Sequence, residues 1–244
     1  MDSYNFSDIN KRAWDYDTYD YWTKKYGTPA ELAYKIRKNP EKYLKWYTRY
    51  LGDVDNKSIL NVCGSNGMLA IALCLMNAQL TIVDISEHGK KYAEECAAAV
   101  PVSLRYILCD FMNYHTNELY DILFLYIGIV HFFDDIDMLF KKIYSFTKKG
   151  GILIYSDFHP FLKFFYHNMD YFYSEPFLGE MPYAKYYDEE KRNSFPKCIY
   201  REYTLSEIIN SVIKAGFKIL SFDEKPFKNE KYPCEFIIKA VKEN

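Results

Sequence analysis

The stretch Ser58–Asp84, SILNVCGSNGMLAIALCLMNAQLTIVD, constrains the fold of this chain more than any other. Its first apolar run, Ile59 to Cys63, has the length and composition of a buried strand. A turn of small residues follows, Gly64-Ser65-Asn66-Gly67. Leu69, Ala70, Leu73 and Met76 then recur at helical spacing, and a second apolar run, Leu80 to Val83, stops at Asp84. Strand, turn, helix, strand and acid make a βαβ unit. The carboxylate lies about 20 residues beyond the turn, where such units hold ribose hydroxyls. Small side chains let the turn backbone approach a ligand, and the N–H groups that open the helix face it. A plain strand-to-helix turn, with Asp84 capping the next helix, has the same local pattern. The strands and helices beyond Asp84 decide between the two.

There the alternation continues. Glu87–Val100 reads as a helix, and Val102–Leu108 as a strand ending at Cys109-Asp110-Phe111. Ile122–Tyr126 is a fourth strand running into Gly128, and Asp134 or Asp135 caps a helix through Thr147. A Lys148–Gly151 turn leads to a fifth strand, Ile152–Tyr155, ending at Ser156-Asp157-Phe158-His159. This repetition argues for an α/β fold with a parallel sheet and helices on both faces. Ligands of such sheets sit at the carboxyl ends of the strands, an edge that gathers Cys63–Gly67, Asp84, Asp110, Tyr126–His131 and Asp157–His159. Thr204–Glu207 is a capping box for a helix that ends at Gly216. The last strands, Phe217–Asp223 and Cys234–Val241, are joined too closely for a parallel crossover and pair antiparallel.

Two segments stand outside this pattern. Residues 1–57 carry no strand signal and read as a helical cap, with helix starts at Thr28-Pro29 and Asn39-Pro40. Residues 160–203 are aromatic, charged and punctuated by proline, and a loop of that length reads as a substrate lid. The expected division is therefore a cap, 1–57, and a main domain, 58–244, with a lid insertion at 160–203.

Composition narrows the partners. The net charge is -2 and Lys and Arg form no block, which argues against a nucleic-acid surface. No apolar run reaches the length of a membrane span, and the polar start of the chain is unlike a signal peptide. A cytoplasmic protein without membrane contact is expected. The six cysteines form no CxxC pair and read as small buried side chains in a reducing compartment, neither a disulfide frame nor a metal site.

Five parallel strands closed by an antiparallel hairpin resemble the class I S-adenosylmethionine-dependent methyltransferases, with a Rossmann-like seven-stranded mixed sheet, over roughly 58–157 and 204–241. NVCGSNG, TIVDIS, IGIVHFF and SDFHPF resemble bacterial members that act on small molecules. In that family an acid is followed by GxGxG. Here Asn61 stands for the acid, and Cys63 and Ser65 stand for two of the glycines, so a left-handed Ser65 would carry strain. The resemblance implies S-adenosyl-L-methionine as cofactor and S-adenosyl-L-homocysteine as product. It implies that Gly64, Ser65 and Gly67, within a motif that includes Asn61 and Asn66, line the methionine part. Asp84 would accept from the ribose hydroxyls and Ile85 would pack on the adenine. Asp110 would accept from the adenine amino group, beside Phe111. Tyr126 and Gly128 would lie under the sulfonium, and Tyr21, with the other cap aromatics, would cover the cofactor.

Methyl transfer from a sulfonium is an in-line displacement that depends on alignment, and a base is needed only if the acceptor loses a proton. His131 and then His159 are the candidates. Asp157 would orient a histidine or bind a substrate amine, and Arg201 and Tyr203 would hold an anionic or polar substrate group. Each has a plainer reading: His131 as packing, His159 as a turn residue before Pro160, Asp110 as a helix cap, Phe111 as core. The expected function is methyl transfer to a small molecule. A cofactor-binding protein without catalysis and an RNA methyltransferase are the alternatives. No metal is implied, and the oligomeric state is open.

Overall fold

The structure, a computed structural model, describes residues 5–163 and 170–243. Its contacts divide into two units, 1–114 with 178–199, and 115–177 with 200–244.

The first unit opens in helices whose starts the local sequence dictates. In α1 (Phe6–Trp14) Asn5 accepts from Asp8 N–H, and α2 (Thr18–Tyr26) follows. In α3 (Pro29–Lys38) Thr28 and Glu31 form a reciprocal capping box with Pro29 at the first position. Asn39 caps α4 (Pro40–Leu44), and α5 (Thr48–Leu51) ends at Gly52. Then come β1 (Ser58–Val62), α6 (Met68–Leu75), β2 (Gln79–Asp84), α7 (Glu87–Ala99) and β3 (Leu104–Leu108). The three strands pair in parallel, Val62 opposite Val83 and Asp84 opposite Leu108. The aromatics of the first two helices fill a core of their own. Trp22 is buried against Tyr92 of α7, and its indole N–H donates to Tyr183 Oη at 3.2 Å. Asn10 binds both backbone groups of Ile199, donating to its carbonyl at 3.2 Å and accepting from its N–H at 2.9 Å.

The second unit holds β4 (Tyr120–Leu125), α8 (Ile136–Phe146) capped by Asp135, and β5 (Thr147–Phe158). Short strands β6 (Phe177–Gly179) and β7 (Cys198–Tyr200), most of whose residues belong to the first unit, pair with each other. A helix over Leu205–Lys214, with its Thr204/Glu207 capping box, leads to β8 (Lys218–Lys225) and β9 (Glu235–Val241). β4 and β5 are parallel, whereas β9 runs antiparallel to both β5 and β8. The seven-stranded mixed sheet has the order β3-β2-β1-β4-β5-β9-β8.

Two expectations change. The Lys148–Gly151 turn is part of β5. Gly150 adopts φ +73° and donates to Lys242 O at 2.8 Å, so the glycines bend the strand without ending its pairing. The expected lid contains β6, β7, a helix over Glu189–Ser194 and a 3-10 turn over Pro160–Leu162. Residues 164–169 of that segment lie outside the described residues. Among the described residues no helix is long and apolar enough to cross a membrane. None of the six cysteines is in a disulfide.

Candidate active site

In the first unit β1 ends at Val62 because the chain turns left-handed at Cys63 (φ +52°). Ser65 (φ +53°) and Gly67 (φ +73°) are left-handed as well. These are the three positions of the GxGxG pattern, so the backbone keeps the glycine conformation where two side chains do not favour it. The cost is about 1–2 kcal/mol for each non-glycine residue. It is met locally: Ser65 N–H donates to Asp84 Oδ2 at 2.9 Å, and Ser65 O accepts from Tyr106 Oη at 3.1 Å. The remaining glycines are required by space. A Cβ on Gly64 would stand 2.8 Å from both Asn61 Oδ1 and Ile82 Cγ2, and one on Gly67 2.6 Å from Ala93 Cβ. Gly67→Ala combines that overlap with a left-handed φ and is expected to destabilise the protein by about 2–4 kcal/mol. Urea unfolding checks it, and an unchanged midpoint would contradict the packing. Asn66, nearly buried, accepts from Met68 N–H at 3.3 Å and steadies the entry to α6.

Asp84 ends β2 with 8% of its surface exposed. Oδ2 takes the Ser65 N–H, and Oδ1 takes the Ser86 N–H at 2.9 Å. Each oxygen keeps a further lone pair, so the carboxylate plane is fixed while it can still accept. Burial raises its pKa, the two amides pull it down, and the nearby Asp15 charge pushes it up. Ile85 beside it is half-buried. Asp110 caps the 3-10 turn Phe111–Asn113, accepting from Met112 N–H at 2.8 Å and from Asn113 Nδ2 at 3.3 Å. The Phe111 ring is only 1% exposed and serves the core. Tyr21, expected over the cofactor, is buried: its ring stacks on Tyr183 at 3.9 Å and its hydroxyl accepts from Lys25 Nζ at 2.9 Å. Its place is in the packing of the arm.

In the second unit the loop after β4 is the organised element. Tyr126 and Gly128 open it, both half-buried, and Gly128 has φ +84°. Asp157 lies at the end of β5, 2% exposed, and accepts five hydrogen bonds. Gly128 N–H and Phe158 N–H donate to Oδ1 at 2.7 and 2.8 Å. Ile129 N–H, Val130 N–H and Tyr155 Oη donate to Oδ2 at 3.3, 3.3 and 3.2 Å. Arg201 N–H donates to His131 O at 2.9 Å, its guanidinium donates to Asp134 O, and Tyr203 Oη donates to Phe133 O at 2.7 Å. Asp157 and Tyr203, expected at the substrate, thus spend their polar groups on one loop. Arg201, expected there too, commits its backbone N–H and one guanidinium nitrogen to the same loop, while its buried Nε has no hydrogen-bond partner among the described residues. That loop carries His131.

The His131 ring lies between Phe132 and Tyr200, with centroids 4.4 and 5.4 Å away. Neither ring nitrogen has a hydrogen-bond partner among the described residues. Burial lowers its pKa below the ordinary 6.5, against the opposing pull of Asp157 and Glu202. His159 differs. Its Nδ1 accepts from Phe161 N–H at 3.0 Å, and its Nε2 lies 2.7 Å from Glu224 Oε1. Nδ1 is thus occupied by a backbone amide, while Nε2 faces the Glu224 carboxylate on β8.

Sequence reasoning missed Asp15. Its Oδ1 meets Ser86 Oγ at 3.0 Å and the N–H groups of Glu87 and His88 at 2.8 and 3.4 Å. No local pattern marks an acid that caps a helix so far away in the chain.

Comparison with known proteins accords with this geometry. Residues 59–151 match the family model described as "Methyltransferase domain". A search of curated proteins returns no match. Among solved structures the chain is similar to a putative S-adenosylmethionine-dependent methyltransferase from Listeria monocytogenes, at 19% identity and TM-score 0.63, covering 84% of this chain and 99% of that one. It is also similar to magnesium protoporphyrin IX methyltransferase from Synechocystis with bound S-adenosylmethionine, at 14% identity and TM-score 0.65, covering 99% of both. A third, phosphoethanolamine N-methyltransferase 2 from Haemonchus contortus, has 16% identity and TM-score 0.59, with 92% of this chain and 60% of that one covered. The glycine-pattern turn and the Asp84 strand end both lie inside the segment that matches a methyltransferase domain, and the chain has the fold of S-adenosylmethionine-dependent methyltransferases.

Proposed function

We propose that this protein is an S-adenosylmethionine-dependent methyltransferase that acts on a small-molecule acceptor, and that His131 receives the acceptor's proton. When bound, S-adenosylmethionine supplies a methyl group activated by a positively charged sulfur. The residues of the first unit fit such a ligand. The cradle at Gly64 and Gly67 is one that a Cβ would fill, and Asp84 is a fixed carboxylate with lone pairs to spare. In this reading Gly64, Ser65 and Gly67 hold the methionine part, Asp84 accepts from the ribose, and Ile85 and Asp110 serve the adenine. The same reading assigns Tyr126 and Gly128 to the sulfonium.

The observation that carries the base assignment is the loop after β4. Asp157, Arg201 and Tyr203 fix its backbone, and it presents an imidazole whose surroundings keep it neutral at pH 7 and whose nitrogens are uncommitted. A neutral, positioned imidazole can take a proton as the acceptor attacks. The small acceptor is supported by the scattered basic residues and by two similar structures named for small acceptors.

The test is transfer of labelled methyl from S-adenosylmethionine into cell extract separated into small-molecule, RNA and protein fractions. Label in the small-molecule fraction supports the reading, and label only in RNA or protein overturns it. On the same protein, Asp84→Ala is expected to weaken S-adenosylhomocysteine binding by about 1.5–3 kcal/mol, the loss of a charged acceptor. Calorimetric titration measures it, and unchanged affinity would remove Asp84 from the site.

A further inference from the structure

We infer that Asp15 is a positioning residue for the nucleoside half of the cofactor site, acting through Ser86 on Asp84. The inference rests on the assignment of Asp84 to the ribose. Asp15 follows the last residue of α1. Its Oδ1 accepts from Ser86 Oγ, Glu87 N–H and His88 N–H at the first turn of α7. Ser86 stands at the centre of the linkage. Its hydroxyl donates to Asp15 and accepts from Gly89 N–H at 3.0 Å, and its own N–H donates to Asp84 Oδ1 at 2.9 Å. One side chain from the N-terminal arm therefore fixes the residue that fixes the Asp84 carboxylate.

The neighbouring contacts act in the same direction. Trp14 O accepts weakly from Ser86 Oγ at 3.4 Å, and Thr18 Oγ1 lies 3.3 Å from His88 Nδ1. Lys11 Nζ lies 2.7 Å from Asp15 Oδ2 and 3.0 Å from Glu87 Oε1, so one ammonium offsets both acids at a helix start. An acid there is favourable in any case. What makes Asp15 more than a cap is its connection through Ser86 and its charge. The ionisable groups that face Asp84 are Asp15 from the arm, Cys63 after β1 and Tyr106 on β3. Burial pushes the thiol and the phenol up, so both are neutral at ordinary pH, and Asp15 is the charge that opposes Asp84 ionisation.

The experiment is titration of S-adenosylhomocysteine into the wild type, Asp15→Ala, Asp15→Asn, Asp84→Ala and the Asp15→Ala/Asp84→Ala double variant, with melting temperature measured on each. Asp15→Ala is expected to weaken binding about tenfold or more. In the Asp84→Ala background the same change should do little, because the residue it positions is gone. Asp15→Asn keeps an acceptor for the α7 amides and removes the charge. It should retain more affinity than Asp15→Ala and move the acid limit of binding to lower pH, since Asp84 then ionises more readily. A purely structural cap would lower the melting temperature of every Asp15 variant, leave the acid limit where it is, and make the Asp15 and Asp84 effects additive; that result overturns the inference. If the wild type binds no S-adenosylhomocysteine, the assignment of the cofactor site fails first. If it binds and Asp15→Ala binds equally well, only the role of Asp15 fails.

Discussion

His131→Ala is expected to lower turnover by roughly 10²–10⁴-fold while leaving cofactor affinity nearly unchanged. The imidazole sits between two aromatic rings with no hydrogen-bond partner among the described residues, so on the proposed reading its removal takes away a proton acceptor and breaks no hydrogen bond. The direction of its shift sets the pH dependence. Because the folded-state pKa lies below the ordinary 6.5, the imidazole is neutral at pH 7, and with His131 as the proposed base turnover should fall only as the pH drops below 6.5. Stability moves in the same direction. The unfolded chain takes up the proton first, near 6.5, so the neutral histidine's contribution is present above that pH and is lost as the pH falls toward the depressed folded value. Turnover per folded molecule separates the two effects. If His131→Ala lowers the melting temperature and spares that rate, His131 is packing. If neither moves, the acceptor needs no base.

Asp157→Ala should be among the most damaging single changes in the chain, at about 3–5 kcal/mol of stability, with activity lost alongside. Four backbone N–H groups and the buried Tyr155 hydroxyl donate to this carboxylate. Alanine leaves them without an acceptor in a space that water does not readily enter, and each buried orphan costs about 1–3 kcal/mol. Asp157→Asn is informative because it is nearly isosteric. One oxygen can still serve Gly128 and Phe158, but an NH₂ group would then face Ile129 and Val130, donor against donor. The Asn variant should fall between wild type and Ala in urea stability, with turnover reduced more than stability because the loop bearing His131 loses its anchor. Wild-type stability in Asp157→Ala would show that the loop holds its shape without the carboxylate.

The parts of this protein that follow local rules are those the sequence displays. Capping boxes at Thr28/Glu31 and Thr204/Glu207 form as their spacing requires. Asp84 ends its strand because an apolar run there meets an acid, and the antiparallel hairpin is dictated by the short link between β8 and β9. The parts that were not legible depend on partners distant in the chain. Asp157, Arg201 and Tyr203 are polar residues near a strand end or after a long insertion, a description that fits a substrate ligand and a loop brace equally well. Only the backbone path from Gly128 to Asp134 distinguishes the two. Tyr21 and Trp22 read as a cover because no local core was in view. Their packing partner Tyr183 lies in the insertion. Gly150 and Gly151 read as a turn, but the hydrogen bond to Lys242, near the end of the chain, keeps them within a strand.

The turn after β1 has a consequence for how sites of this kind are recognised. Cys63, Ser65 and Gly67 share one sign of φ although only one of them is a glycine. The shape is imposed from outside the turn: Asp84 and Tyr106 hold Ser65, and the Val83 carbonyl holds Cys63 through its N–H at 2.9 Å. Where neighbours impose the backbone, the letters of a motif become free to drift while the torsion angles stay. A search keyed to glycine identity keeps one of the three positions here, whereas one keyed to handedness keeps all three. The turn belongs to its strands and its acid more than to its own residues.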